Sequence, residues 1–130
     1  MIERTHPRQV RAAFDRAAAT YDAAARVQQQ ICDDLLRLAL PHAPASVECL
    51  LDAGCGTGRG ATAVLERFNP TCSLALDFAP GMLNACASGP WTARLCADLQ
   101  AMPLAAGRVD LVWSSLAIQW CPPGAALAEI

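Results

Sequence analysis

The stretch Leu50-Leu51-Asp52-Ala53-Gly54-Cys55-Gly56-Thr57-Gly58-Arg59-Gly60 constrains this chain more than any other. An apolar run passes into closely spaced glycines, and helical spacing resumes at Ala61, Val64, Leu65 and Phe68. Glycines permit positive φ and remove the side chains that would hold a ligand away from the backbone. The amides that open the following helix are donors ready for a polar ligand. A plain tight turn between strand and helix needs no such run of glycines. The segment therefore reads as a ligand cradle within a βα unit.

The flanking sequence agrees. Short apolar runs at 47–52, 72–77, 92–97 and 109–114 predict four strands, with helical stretches after the glycine loop, at 80–87 and at 122–130. Pro80 suits a first helical turn. Such alternation implies parallel strands joined by right-handed crossovers. Ahead of them, residues 7–40 read as helical. Val10, Phe14, Ala18 and Tyr21 recur at helical spacing, and Val27, Ile31, Leu35 and Leu38 do so again. Thr20 or Asp22 would cap a second helix, and Pro41-His42-Ala43-Pro44 closes the region. The organisation expected is a helical cap over 1–45 and an α/β, Rossmann-like domain over 46–130.

Composition excludes several other classes. A chain of 130 residues holds one core, and 54% hydrophobic against 17% charged residues marks it as globular. A net charge of -2 does not suit general nucleic-acid binding, which needs a basic surface. Residues 1–8 carry charges with no apolar run behind them, so no signal peptide is read. No stretch approaches the roughly 20 apolar residues of a membrane span. A cytoplasmic location without membrane contact is expected. The seven cysteines, Cys32, Cys49, Cys55, Cys72, Cys86, Cys96 and Cys121, contain no C-x-x-C pair. Neither a metal site nor a complete disulfide set is expected from them; free cysteines in a reducing compartment serve mostly as small buried hydrophobes.

Two cofactors fit the loop. Gly56-x-Gly58-x-x-Ala61 satisfies the dinucleotide pattern, with Asp77 about 20 residues further on, where a ribose-binding acid belongs. Asp52 favours the other cofactor. A carboxylate two residues before the first glycine would repel a pyrophosphate but complements the ammonium and sulfonium of S-adenosylmethionine. Gly54-x-Gly56-x-Gly58 also matches the methyltransferase form. Asp77, ending the second predicted strand, can accept from both ribose hydroxyls, or else cap the next helix. Asp98, in Ala97-Asp98-Leu99, can accept from an adenine amino group while Leu99 packs on the ring; a turn is its other reading.

These segments, together with Asp77-Phe78-Ala79-Pro80-Gly81-Met82-Leu83, resemble the successive motifs of the class I S-adenosylmethionine-dependent methyltransferases. Two more, Phe14-Asp15-Arg16-Ala17-Ala18-Ala19-Thr20-Tyr21-Asp22 and Ser114-Ser115-Leu116-Ala117-Ile118-Gln119-Trp120-Cys121, resemble the malonyl-[acyl-carrier protein] O-methyltransferases of biotin synthesis. The resemblance implies a sheet of order 3-2-1-4. It also implies cofactor contacts from Asp52, Gly54, Cys55, Gly56, Gly58, Asp77, Phe78, Met82, Asp98, Leu99 and Ser115. There are departures: Ala79 stands where the family often has a capping Ser, and Ser114-Ser115 where Ser-Asn is usual. Such folds normally continue through three more strands, so the sequence is expected to be a fragment, inactive as it stands.

The activity implied is methyl transfer from S-adenosylmethionine to the carboxylate of a malonyl thioester on acyl carrier protein. Tyr21, Gln119 and Trp120 are candidates near the reacting centre, each with an ordinary packing role as the alternative. Arg4, Arg8 and Arg11 share a helical face that can meet an acidic carrier, or simply face water. Other acceptors (a quinone, a sterol, another carboxylic acid) and a non-catalytic cofactor-binding module are the competing expectations.

Overall fold

A computed structural model describes residues 7–17 and 25–130. Its elements run in the order α1 (Pro7–Ala17), α2 (Arg26–Ala39), β1 (Cys49–Ala53), α3 (Thr62–Phe68), β2 (Cys72–Asp77), α4 (Pro80–Ala85), β3 (Ala93–Cys96), β4 (Leu111–Trp113) and α5 (Pro123–Glu129). Single 3₁₀ turns at Leu40–His42, Arg59–Ala61 and Ile118–Trp120 join some of them. The caps read at Thr20 and Asp22, like Ala18, Tyr21 and Arg4, lie outside the described residues.

The strands form one sheet in the order β3-β2-β1-β4, and every pairing is parallel. β1 is central and apolar on both faces, as a strand covered on both sides must be. Leu50 packs beneath α2 and α3 with Val64, Leu65 and Trp113. Leu51 and Ala53 point to the opposite face, into a cluster with Leu76, Leu95, Leu104 and Val112. This alternation carries Asp52 to the Leu50 side, where it pairs in register with Trp113.

The four strands fall where the apolar runs predicted, shortened by a residue or two at most ends. β4 is the most shortened, because Asp110 leaves the strand and caps β1. Its Oδ2 accepts the N–H groups of Glu48 at 3.0 Å and Cys49 at 2.8 Å.

Helix α2 differs from expectation in the face it buries. The spacing of Val27, Ile31, Leu35 and Leu38 predicts an inward stripe; Leu35 does pack against the core, yet Val27 and Leu38 are 71% and 72% exposed. Cys32 is buried instead, with Leu35 and Leu36 packed beside it. Two stripes about 100° apart compete on such a helix. The sheet selects the one that places small Cys32 against Gly60, where a glycine Cβ would lie 3.2 Å from its sulfur.

Candidate functional site

The carboxyl ends of all four strands open into one cleft, roofed by α1 and α2. Counted out into its open solvent mouth, it encloses about 1130 Å³. Its floor is the glycine loop. Gly54, Gly56 and Gly58 have φ of 81°, 55° and 86°, the left-handed region that glycine alone enters without strain. The loop is tied across β2: the N–H groups of Gly54 and Cys55 both donate to the Leu76 carbonyl, at 2.8 and 2.9 Å.

Asp52 lies at the bottom of this cleft and is 3% exposed. It forms no hydrogen bond with the described residues. Burial, and then the charge of Asp77, push its carboxyl up to about 8; the site favours the proton until a cation arrives to replace it. Two buried atoms of cleft residues, Gln28 Oε1 and Trp113 Nε1, have no hydrogen-bond partner among the described residues.

Asp77 is 7% exposed and already engaged. Its Oδ2 accepts the Gly56 N–H and its Oδ1 the Ala79 N–H, both at 2.9 Å. Burial raises its pKa, and these backbone donors oppose the rise. Asp77 therefore shapes both the glycine loop and the turn into α4, while each oxygen retains a second lone pair for a ligand. Asp98 is exposed at the cleft rim and organises a turn: Gln100 donates its N–H to Asp98 Oδ1 at 2.9 Å. Asp98 makes this turn while lining the cleft, and Leu99 beside it lines the cleft too.

The cleft wall includes Asp52, Gly54, Cys55, Gly56, Asp77, Phe78, Met82, Asp98, Leu99, Ser115 and Trp120, eleven positions that sequence reasoning selected. Gly58 lies off the wall, facing Cys86 and Trp91, and Gln119 is exposed outside it. Tyr21 falls outside the described residues. Arg8 and Arg11 are exposed on α1.

Sequence reasoning missed the roof and one cation. Phe14 packs edge-on against both Phe78, at 6.2 Å between ring centroids, and Trp120, at 5.7 Å. Gln28, Gln29 and Cys32 line the cleft from α2, and Cys32 donates to Ser115 Oγ at 3.3 Å. Arg59, which follows the last glycine of the motif, is the cation on the wall among the described residues. Only its place beside the glycines signalled it. No group of three His, Cys, Asp or Glu able to hold a metal occurs among the described residues, and no helix there is long and apolar enough to cross a membrane.

A family described as a methyltransferase domain matches residues 51–130, which carry the glycine loop, Asp77 and the cleft rim. The chain belongs to that family. It is 47% identical, over 96% of its own length, to a malonyl-[acyl-carrier protein] O-methyltransferase of Laribacter hongkongensis, 46% of which it covers. The chain spans about half the length of the curated relatives it matches.

Solved structures agree on the architecture. A chain in the complex of the Haloferax volcanii Trm112 methyltransferase activator with a methyltransferase superposes at a TM-score of 0.73. That pair is 24% identical, over 90% of this chain and 53% of the other. CalS10 from Micromonospora echinaspora, an amino pentose methyltransferase with bound S-adenosylmethionine, gives 0.61 at 26% identity, over 85% of this chain and 49% of its own. The parallel 3-2-1-4 sheet is the class I methyltransferase fold.

Proposed function

We propose that this methyltransferase-family chain binds S-adenosylmethionine in the cleft and belongs to an enzyme that methylates the carboxylate of a malonyl thioester on acyl carrier protein. The observation that carries the cofactor reading is Asp52, a buried carboxylate at the mouth of the glycine loop without a hydrogen-bond partner among the described residues. A pyrophosphate placed there would add like charge to a site that already resists ionisation, whereas a sulfonium or ammonium relieves it. The acceptor reading is supported by the curated relatives named for it.

In this reading residues 1–45 form a helical cap and 46–130 the cofactor domain. Asp77 accepts from the ribose hydroxyls with its remaining lone pairs. Asp98 accepts from the adenine amino group while Leu99 and Met82 pack on the base. Gly54, Cys55, Gly56 and Gly58 keep the loop close to the ligand, and Ser115 and Arg59 supply polar contacts at its amino-acid end. Phe14, Phe78 and Trp120 close the roof and exclude water, and Tyr21 remains a candidate beside the reacting atoms. A cytoplasmic location goes with this reading.

When bound, the cofactor supplies a methyl group already activated on a positive sulfur. The acceptor carboxylate is ionised at neutral pH, so no general base is required of the chain. What the chain contributes is alignment: holding the acceptor oxygen in line with the methyl is worth several orders of magnitude in rate. The test is transfer of labelled methyl from S-adenosylmethionine to malonyl-carrier protein, using the chain extended to the length of its relatives. Transfer to the malonyl thioester supports the reading. Transfer to a different acid, with malonyl thioester ignored, overturns the acceptor and leaves the cofactor assignment standing.

A further inference from the structure

The cysteines are too widely spaced in sequence to suggest a redox motif, yet the fold brings two of them together far from the cleft. Cys49 opens β1 and Cys72 opens β2, and the two are opposite one another in register. Their sulfurs are 3.3 Å apart, and both thiols are free and half-buried. Neighbouring strands lie about 4.8 Å apart, inside the roughly 4.4–6.8 Å between Cα atoms that a disulfide accepts.

The backbone around the pair is fixed. Asp110 Oδ2 holds the N–H groups of Glu48 and Cys49. The Glu48 carbonyl accepts the Cys72 N–H at 2.9 Å and the Thr71 hydroxyl at 3.2 Å. The sheet itself presents the two thiols to each other across one in-register pair. The other cysteines are arranged differently: Cys55 and Cys86 touch but are 6% and 2% exposed, and Cys32 is bonded to Ser115.

We propose that Cys49 and Cys72 are a reversible disulfide site, oxidised by thiol–disulfide exchange with a small neutral or cationic disulfide. The charge preference follows from Glu48 and Asp110, which flank the pair and repel an anionic reagent. Burial and the neighbouring thiol push the Cys49 thiol up. One of the two cysteines, as thiolate, attacks one sulfur of the reagent and expels a small thiolate that takes up a proton. The other then loses its proton to solvent, attacks the first cysteine's sulfur and releases a second small thiolate, which also takes up a proton. Two protein thiols are oxidised to one disulfide, and the reagent is reduced to two thiols.

The new bond joins the amino ends of the two strands whose carboxyl ends carry Asp52 and Asp77. It should raise thermal stability by constraining the unfolded chain while leaving the cleft open. Treatment with cystamine, followed by non-reducing digestion with a protease that cuts at aspartate, tests this. A second digestion at arginine completes the separation: cleavage at Asp52, Arg59, Arg67 and Asp77 places Cys49, Cys55, Cys72 and Cys86 on four different peptides. The expected result is a Cys49–Cys72 linked peptide, lighter by two hydrogen atoms than its reduced parts and separated by added thiol. The oxidised protein should melt at a higher temperature, and Cys49→Ser and Cys72→Ser should each abolish both effects. A linkage joining Cys55 to Cys86, or mixed disulfides at Cys49 and Cys72 that never resolve, would overturn the proposal.

Discussion

The Asp15 carboxylate of α1 accepts the Gly81 N–H of α4 at 2.7 Å, so the helix that follows Asp77 is capped from a different element. Ala79 occupies the N-cap position and has no side-chain oxygen to offer; Asp15 supplies what it lacks. Asp15→Ala should therefore cost about 1 kcal/mol, the usual worth of an N-cap, in urea denaturation. Asp15→Asn, which keeps an acceptor, should recover most of it. A Cβ at Gly81 would lie 2.9 Å from the Asp15 carbonyl oxygen, so Gly81→Ala should loosen α1 over the cleft. An Asp15→Ala protein as stable as the parent would show the cap to be idle.

Gly54 has a packing role. A Cβ there would lie 2.3 Å from Ala117 Cβ, at a φ of 81°. Gly54→Ala should cost roughly 1–2 kcal/mol for the left-handed backbone and about 1–3 kcal/mol more for overpacking. Adding Ala117→Gly should restore the second part and not the first. A double variant no more stable than Gly54→Ala would place the cost wholly in the backbone.

These two contacts mark where the sequence stops being informative. The strands themselves, the glycine cradle and the positions of Asp52 and Asp77 were legible because local pattern encodes them: apolar runs, glycine spacing, an acid ending a strand; the strand order came only with the family resemblance. Asp15 to Gly81, Gly54 to Ala117 and Cys49 to Cys72 join residues far apart in the chain, and no periodicity reports them. On α2 the spacing pointed Val27, Ile31, Leu35 and Leu38 inward, whereas tertiary packing turned Cys32, Leu35 and Leu36 to the core.

Asp77→Ala should weaken cofactor binding by about 1.5–3 kcal/mol, the range for hydrogen bonds to a charged group. Read from sequence alone, that substitution should leave the fold intact. The structure revises this, because Asp77 holds the Gly56 and Ala79 amides, and the variant should also lose stability. Asp77→Asn keeps one acceptor oxygen and should fall between. Thermal melts with and without ligand separate the two effects, and unchanged affinity would confine Asp77 to its structural role.

Asp52 makes both stability and binding depend on pH. Its carboxyl rises from 3.8 to about 8 on folding, so the native state binds a proton that the unfolded chain has released. The stability it permits is full below pH 3.8 and declines as pH rises through about 8. Asp52→Asn should flatten that slope. A bound cation favours the ionised form, so at pH 7 S-adenosylmethionine should expel a proton from the site, and uncharged-sulfur S-adenosylhomocysteine should expel less. Calorimetric enthalpies measured in buffers of different ionisation enthalpy detect this; identical enthalpies in all buffers would count against a protonated Asp52.

The central claim, that the cleft is built for S-adenosylmethionine and not for a dinucleotide, is tested most directly by titrating the protein in parallel with S-adenosylhomocysteine and NAD. The account predicts saturable binding of S-adenosylhomocysteine and loss of that binding in Gly56→Val, whose branched side chain cannot hold a φ of 55° without strain. It predicts much weaker binding of NAD, or none. Tighter binding of NAD than of S-adenosylhomocysteine would contradict it.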